Sequence, residues 1–154
     1  MKPERILGID PGFGRLGYGV IEEAAKREWR AVSYGCISTD PKETFIERLK
    51  DIHEELVDLI KEYKPTRVAV EKLFFFKNQK TVLGVSEMRG ITMLSLALNN
   101  IPVFEFTPLQ IKQAVSAYGR ANKQAVQKMV RLILSLDKDP QPDDAADALA
   151  AAIC

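Results

Sequence analysis

Residues 5–12 read Arg-Ile-Leu-Gly-Ile-Asp-Pro-Gly, and the fold is decided by how this stretch is read. Ile6-Leu7-Gly8-Ile9 is an apolar run of the kind that forms a buried strand. Asp10 stands at its apolar end, and Pro11-Gly12 follow as turn or bulge formers. Outward from it, residues 16–22 and 29–38 read as two more strands with a short polar connection around Ala25-Lys26, an antiparallel meander. Residues 43–64 carry Ile52, Leu56, Leu59, Ile60 and Tyr63 at helical spacing, and Pro65 is a stop signal. A short buried strand over 67–70 ends at Glu71, a helix over 80–99 contains Gly84 and Gly90, and 101–106 is another strand. Pro108 opens a helix in the first-turn position, Gly119 breaks it, Asn122 caps a second helix over 122–136, and a final helix starts near Asp143. Strands alternating with helices after an initial meander predict an α/β protein with a mixed sheet.

At 154 residues and 46% apolar content, one domain spanning 1–154 with one core is expected. No repeat or long linker interrupts it. Cys36 and Cys154 are too few for a disulfide framework and lack metal-ligand spacing. The longest membrane candidate, 91–98, is far too short to span, so no membrane is expected as a partner. The N-terminus reads directly into a strand with no leader-like pattern, so a cytoplasmic protein is expected. The net charge of +1 is unevenly spread. Residues 107–136 hold no acid but contain Lys112, Arg120, Lys123, Lys128 and Arg131. That stretch is either one phosphate-attracting face or a solvated helix surface. The lone His53 lies beside the 43–64 apolar stripe and reads as a boundary residue.

Four acids sit where a core-forming sequence does not ordinarily place them. Asp10 and Glu71 end apolar strands, and Asp144 and Asp147 interrupt an alanine-rich run, three apart and so on one helical face. Each has an ordinary alternative: Asp10 as a turn former, Glu71 at a solvated strand end, Asp144 in a helix first turn. Asp147, inside the helix among alanines, is the hardest to explain that way. A buried carboxylate needs a partner, and magnesium is the economical one for several at once.

In order along the chain stand Ile-Leu-Gly-Ile-Asp-Pro-Gly (6–12), Gly-Tyr-Gly-Val-Ile (17–21), Val-Glu-Lys-Leu-Phe-Phe-Phe-Lys-Asn (70–78), Arg-Gly (89–90), Pro-Val-Phe-Glu (102–105) and Asp-Ala-Ala-Asp-Ala-Leu-Ala (144–150). This ordered set closely resembles the RuvC family of crossover (Holliday) junction endodeoxyribonucleases over nearly the whole chain. The resemblance implies an RNase H-like fold: a five-stranded mixed sheet with helices on both faces, with the first strand beside the fourth. It implies that Asp10, Glu71, Asp144 and Asp147 are the catalytic, metal-binding acids, with Asp10 bridging. Some members carry histidine at the third position; this chain has Asp144. It implies two Mg2+ ions per site, about 4 Å apart, with Mn2+ able to substitute. Paired symmetric nicks in a four-way DNA junction would leave 5′-phosphate and 3′-hydroxyl ends. A homodimer and the branch-migration proteins RuvA and RuvB are the implied partners. The 80–99 helix is the candidate dimer interface, its apolar Met88, Ile91, Met93, Leu94 and Leu98 serving either that interface or only the core.

For DNA contact, Phe74 matches the family's base-contacting aromatic, and aromatic wedges can unstack a base step. Phe75 and Phe76 read as core or dimer contacts. Lys77, Lys80, Lys112 and Lys123 are the phosphate candidates, with Arg89 and Lys72 weaker. Three rivals remain: an actin-like ATPase half, another RNase H-like nuclease acting on flaps or RNA hybrids, and a junction-binding protein without catalysis. The short chain without further glycine-rich loops speaks against the first, and the complete acidic quartet against the last.

Overall fold

The computed structural model describes residues 3–25, 28–72, 81–117, 119 and 121–154. Their elements are β1 (Arg5–Pro11), β2 (Arg15–Ala25), β3 (Glu28–Ser38), α1 (Phe45–Tyr63), β4 (Arg67–Glu71), α2 (Val82–Leu98), β5 (Val103–Phe106), α3 (Pro108–Ser116), α4 (Lys123–Ile133) and α5 (Asp143–Ile153). The five strands form one sheet in the order β3-β2-β1-β4-β5. Short connections leave β1, β2 and β3 antiparallel, while crossovers through α1 and α2 make β1, β4 and β5 parallel. This is the mixed α/β, RNase H-like arrangement expected from the sequence.

Strand alternation sorts the side chains to two faces. Leu7 and Ile9 of β1, Leu16 and Val20 of β2, and Val68 and Val70 of β4 pack with α1 and α2. Ile21 and Ala69 face the other way, with α3, α4 and α5. By the same parity Asp10 and Glu71 point to the α5 side. Helix α5 lies unusually close to the sheet there. A Cβ on Gly8 would stand 1.9 Å from the Ala148 carbonyl oxygen, and one on Gly17 would stand 2.1 Å from that of Asp144. The alanines of α5 are buried against these glycines with no side-chain layer between.

Capping follows sequence signals. Thr44 and Glu47 form a capping box on α1, Thr107 and Gln110 another on α3 behind Pro108, and Asn122 accepts from the Ala125 N–H at α4. Some boundaries differ from expectation. Pro11 still pairs with Leu16, so the turn is residues 12–14, closed by the Gly12 N–H on the Arg15 carbonyl. Helix α3 stops at Ala117, held left-handed with φ 56°, before Gly119 is reached. His53 is indeed a boundary residue, its Nδ1 2.8 Å from Ser95 Oγ between α1 and α2. Among the described residues no helix is long and apolar enough to cross a membrane.

Candidate functional site

Parallel pairing of β1 with β4 sets Ile9 beside Val70, so Asp10 and Glu71 emerge as neighbours one step further along. Helix α5 crosses the same strand ends. Gly17, paired with Asp10 across the β1–β2 ladder, touches the Asp144 backbone, which hangs Asp144 and Asp147 over that corner. All four acids singled out in the sequence are therefore brought to one end of the sheet, each half-buried.

Their electrostatics are strained. Burial, then the charges of Glu71, Asp147 and Asp144, push the Asp10 carboxyl up to about 8. Glu71 is also raised, by burial and by Asp147, while a hydrogen bond with Asp10 and the charges of Lys112 and Lys123 pull the other way. Both carboxyls are thus raised, and the hydrogen bond between them lets the pair share a proton. Asp147 is raised by burial, against the opposing pull of Lys123. Burial would lower the Lys123 ammonium, but the charges of Asp147 and Asp143 outweigh it and raise the group.

Two cations hold the acids of α5. Lys123 Nζ at the start of α4 lies 3.2 Å from Asp143 Oδ2 and 3.3 Å from Asp147 Oδ2. Arg15 Nη2 at the start of β2 lies 2.7 Å from Asp144 Oδ2. Cys36 Sγ is 3.8 Å from the same oxygen. Asp143, a first-turn acid, also accepts from Gln127 Nε2 at 2.9 Å, so its role is local and structural. A cleft of about 260 Å³ opens beside the acids, lined by Glu71, Lys112, Lys123, Asp147 and the apolar Pro108, Ile111, Val126 and Ala150.

The donor chemistry fits a hard divalent cation. The acids offer carboxylate oxygen and no thiolate or imidazole, and such an ion would offset both the burial and the mutual repulsion that raise Asp10. Among the described residues no three acid, histidine or cysteine side chains are yet drawn close enough to surround an ion. Asp144 and Asp147 are turned to Arg15 and Lys123 instead.

Of the sequence-predicted DNA contacts, Lys112 and Lys123 flank the cleft. Phe74, Lys77 and Lys80, with Phe75 and Phe76, lie outside the described residues. Arg89 pairs with Glu105 across to β5, and Lys72 is exposed. Arg15 was not anticipated. An arginine in a glycine-rich turn reads as ordinary loop polarity, and the only available signal was its place five residues beyond Asp10.

Comparison with known proteins agrees over the whole length. The family model for "Crossover junction endodeoxyribonuclease RuvC" matches residues 6–154. A protein of that name from Petrotoga mobilis is 52% identical over 149 residues, 97% of this chain and 91% of its own. The structure of Thermus thermophilus RuvC in complex with Holliday junction substrate is 34% identical, with a TM-score of 0.91 over 97% of this chain and 91% of that one. The yeast mitochondrial Holliday junction resolvase Ydc2 shares the fold at 14% identity, with a TM-score of 0.67 over 97% of this chain and 75% of that one.

Proposed function

Because the chain belongs to the RuvC family of crossover junction endodeoxyribonucleases, we propose that it resolves Holliday junctions by paired, symmetric, metal-dependent nicks in DNA recombination and repair. The observation that carries this reading is the convergence of Asp10, Glu71, Asp144 and Asp147, with Asp10 pushed to about 8 by burial and then by its acidic neighbours. Their carboxylates would hold two Mg2+ ions, or Mn2+ in their place. When bound, such ions supply an activated water and stabilise the leaving 3′ oxygen, giving 5′-phosphate and 3′-hydroxyl ends.

The remaining groups bind and orient. Lys112, half-buried beside Glu71, and Lys123, exposed at the α4 N-terminus, would engage the phosphates of the cut strand. Phe74, Lys77 and Lys80, which follow Glu71 closely in the chain, would be further DNA contacts. A four-way junction has approximate two-fold symmetry, so a C2 homodimer supplies two matching sites. Helix α2 supports this interface. Its Met88 is buried in the core and Ile91 and Met93 are packed against it, whereas Leu83, Leu94 and Leu98 are exposed and recur on one helical face. Leu94→Glu should convert a dimer to a monomer, read by analytical ultracentrifugation, and abolish paired cutting. RuvA and RuvB would be partners acting on the same junction in the cytoplasm.

The deciding experiment is Mg2+-dependent cleavage of a synthetic mobile four-way junction, with a linear duplex and a flapped duplex as controls. Symmetric paired nicks in the junction alone are expected, with Asp10→Asn binding the junction and leaving it uncut. Equal cleavage of the flap would favour another RNase H-like nuclease. Binding without cleavage by the wild type, in several junction sequences and with Mn2+ tried, would leave a junction-binding protein.

A further inference from the structure

Arg15 and Lys123 hold the acids of α5 in different ways. Lys123 divides one flexible ammonium between Asp143 and Asp147. Arg15 makes its ion pair with one carboxylate, that of Asp144. Both roots of this pair are fixed. Arg15 follows Gly14, whose φ of 66° turns the chain, and the Gly14 carbonyl accepts from both the N–H and the Oγ1 of Thr39. Asp144 is fixed by its backbone contact with Gly17. The tips of the pair are wet: the Arg15 side chain is 54% exposed and that of Asp144 33%. An ion pair of such exposure, anchored at its roots and solvated at its tips, is easily displaced.

Asp10 and Glu71, by contrast, hydrogen-bond to each other, and among the described residues neither makes an ion pair with a cation. An approaching metal ion therefore displaces the hydrogen bond between them and no guanidinium or ammonium. At Asp144 a metal ion and the guanidinium compete for the same oxygen. We propose that Arg15 is a positioning residue acting through Asp144: a displaceable counter-ion that keeps this carboxylate engaged in the metal-free protein and so raises the divalent-ion concentration at which it joins the site. The inference rests on the metal-binding reading given above and adds to it a residue that tunes occupancy.

The test needs no catalysis. Mn2+ binding to the DNA-free, full-length protein is followed by the electron paramagnetic resonance signal of free aqueous Mn2+. Arg15→Gln is expected to lower the Mn2+ concentration at half-saturation by about fivefold, the most that an exposed pair yields. Arg15→Lys, which keeps the charge but not the fork, should fall between this variant and the wild type. Arg30→Gln removes the same charge from the pair with Glu22 and should leave binding unmoved. Unchanged or weaker Mn2+ binding in Arg15→Gln, or an equal shift in Arg30→Gln, overturns the proposal while leaving metal binding intact. Failure of the wild type to take up Mn2+ at all would overturn the metal-site reading with it.

Discussion

At one end of the β1–β2 ladder Glu22 lies opposite Arg5, and its buried carboxylate takes Arg5 Nε at 2.6 Å and Arg30 Nη2 at 2.7 Å. At the other end Asp10 lies opposite Gly17, with the carboxyl of Glu71 as its neighbour. The first acid has two cations to itself. The second shares its corner with three more carboxylates, two of them already claimed by Arg15 and Lys123. Hydrogen bonds from Arg30 and Arg5 hold Glu22 below its ordinary value, whereas Asp10 is driven up to about 8. The same strands thus carry one acid that the protein neutralises fully and one that it leaves in deficit. A deficit of that kind is costly to folding, and it is where the proposed metal ions would sit.

The largest test of this contrast is in activity. Glu71→Gln should reduce single-turnover junction nicking by at least about a hundredfold while junction binding persists. Glu22→Gln should nick at the wild-type rate. Equal losses in the two variants would break the distinction between the two ends.

Gly8 lies between the two ends on β1, under α5. Gly8→Ala forces a Cβ onto the Ala148 carbonyl and should destabilise the fold by about 3 kcal/mol, measured by urea denaturation. Because it lifts Asp144 and Asp147 away from Asp10, nicking should fall even at temperatures where the protein remains folded. Glu22→Gln should cost less, about 1–2 kcal/mol, since Arg30 can turn to solvent and Arg5 keeps its bond to the Tyr63 carbonyl.

The pH dependence of the chelated protein should separate the ends most gently. Asp10 is raised, so the folded state keeps a proton that the unfolded chain has lost. Its contribution is most favourable below the ordinary carboxyl range and is lost as pH rises from 3.8 toward about 8. Glu22 is lowered, so its contribution is present above 4.5 and is lost as pH falls through its folded value. In denaturation curves across pH, Asp10→Asn should flatten the slope toward neutral pH and Glu22→Gln the acid limb. Two variants flattening the same limb would contradict the assignment.

Much of this was legible in the sequence because polar residues broke apolar patterns. Asp10 and Glu71 end hydrophobic strands, and Asp147 interrupts alanines, so the fold had to explain each of them. The order of motifs supplied the topology that spacing alone could not, since nothing local says that the first strand lies beside the fourth. Helix packing likewise settled what periodicity left open: which of Met88, Ile91, Met93, Leu94 and Leu98 face outward depends on how α2 rests on the core. Arg15 stayed hidden for a similar reason. Its partner is more than a hundred residues away, and the contact exists only because Gly17 admits the α5 backbone.

That close seating has a mechanical consequence. Most helices ride on a cushion of interleaved side chains, which can re-pack and let the helix slide by an ångström or so. Helix α5 rests on Gly8 and Gly17 with main chain against main chain, and has no cushion. Sliding α5 along the sheet would drive main chain into main chain at both glycines, so the spacing between its aspartates and the strand-borne acids resists retuning that way. Any give that the proposed metal ions would need falls to side-chain tips and to the elements around α5, with the helix itself acting as the anvil.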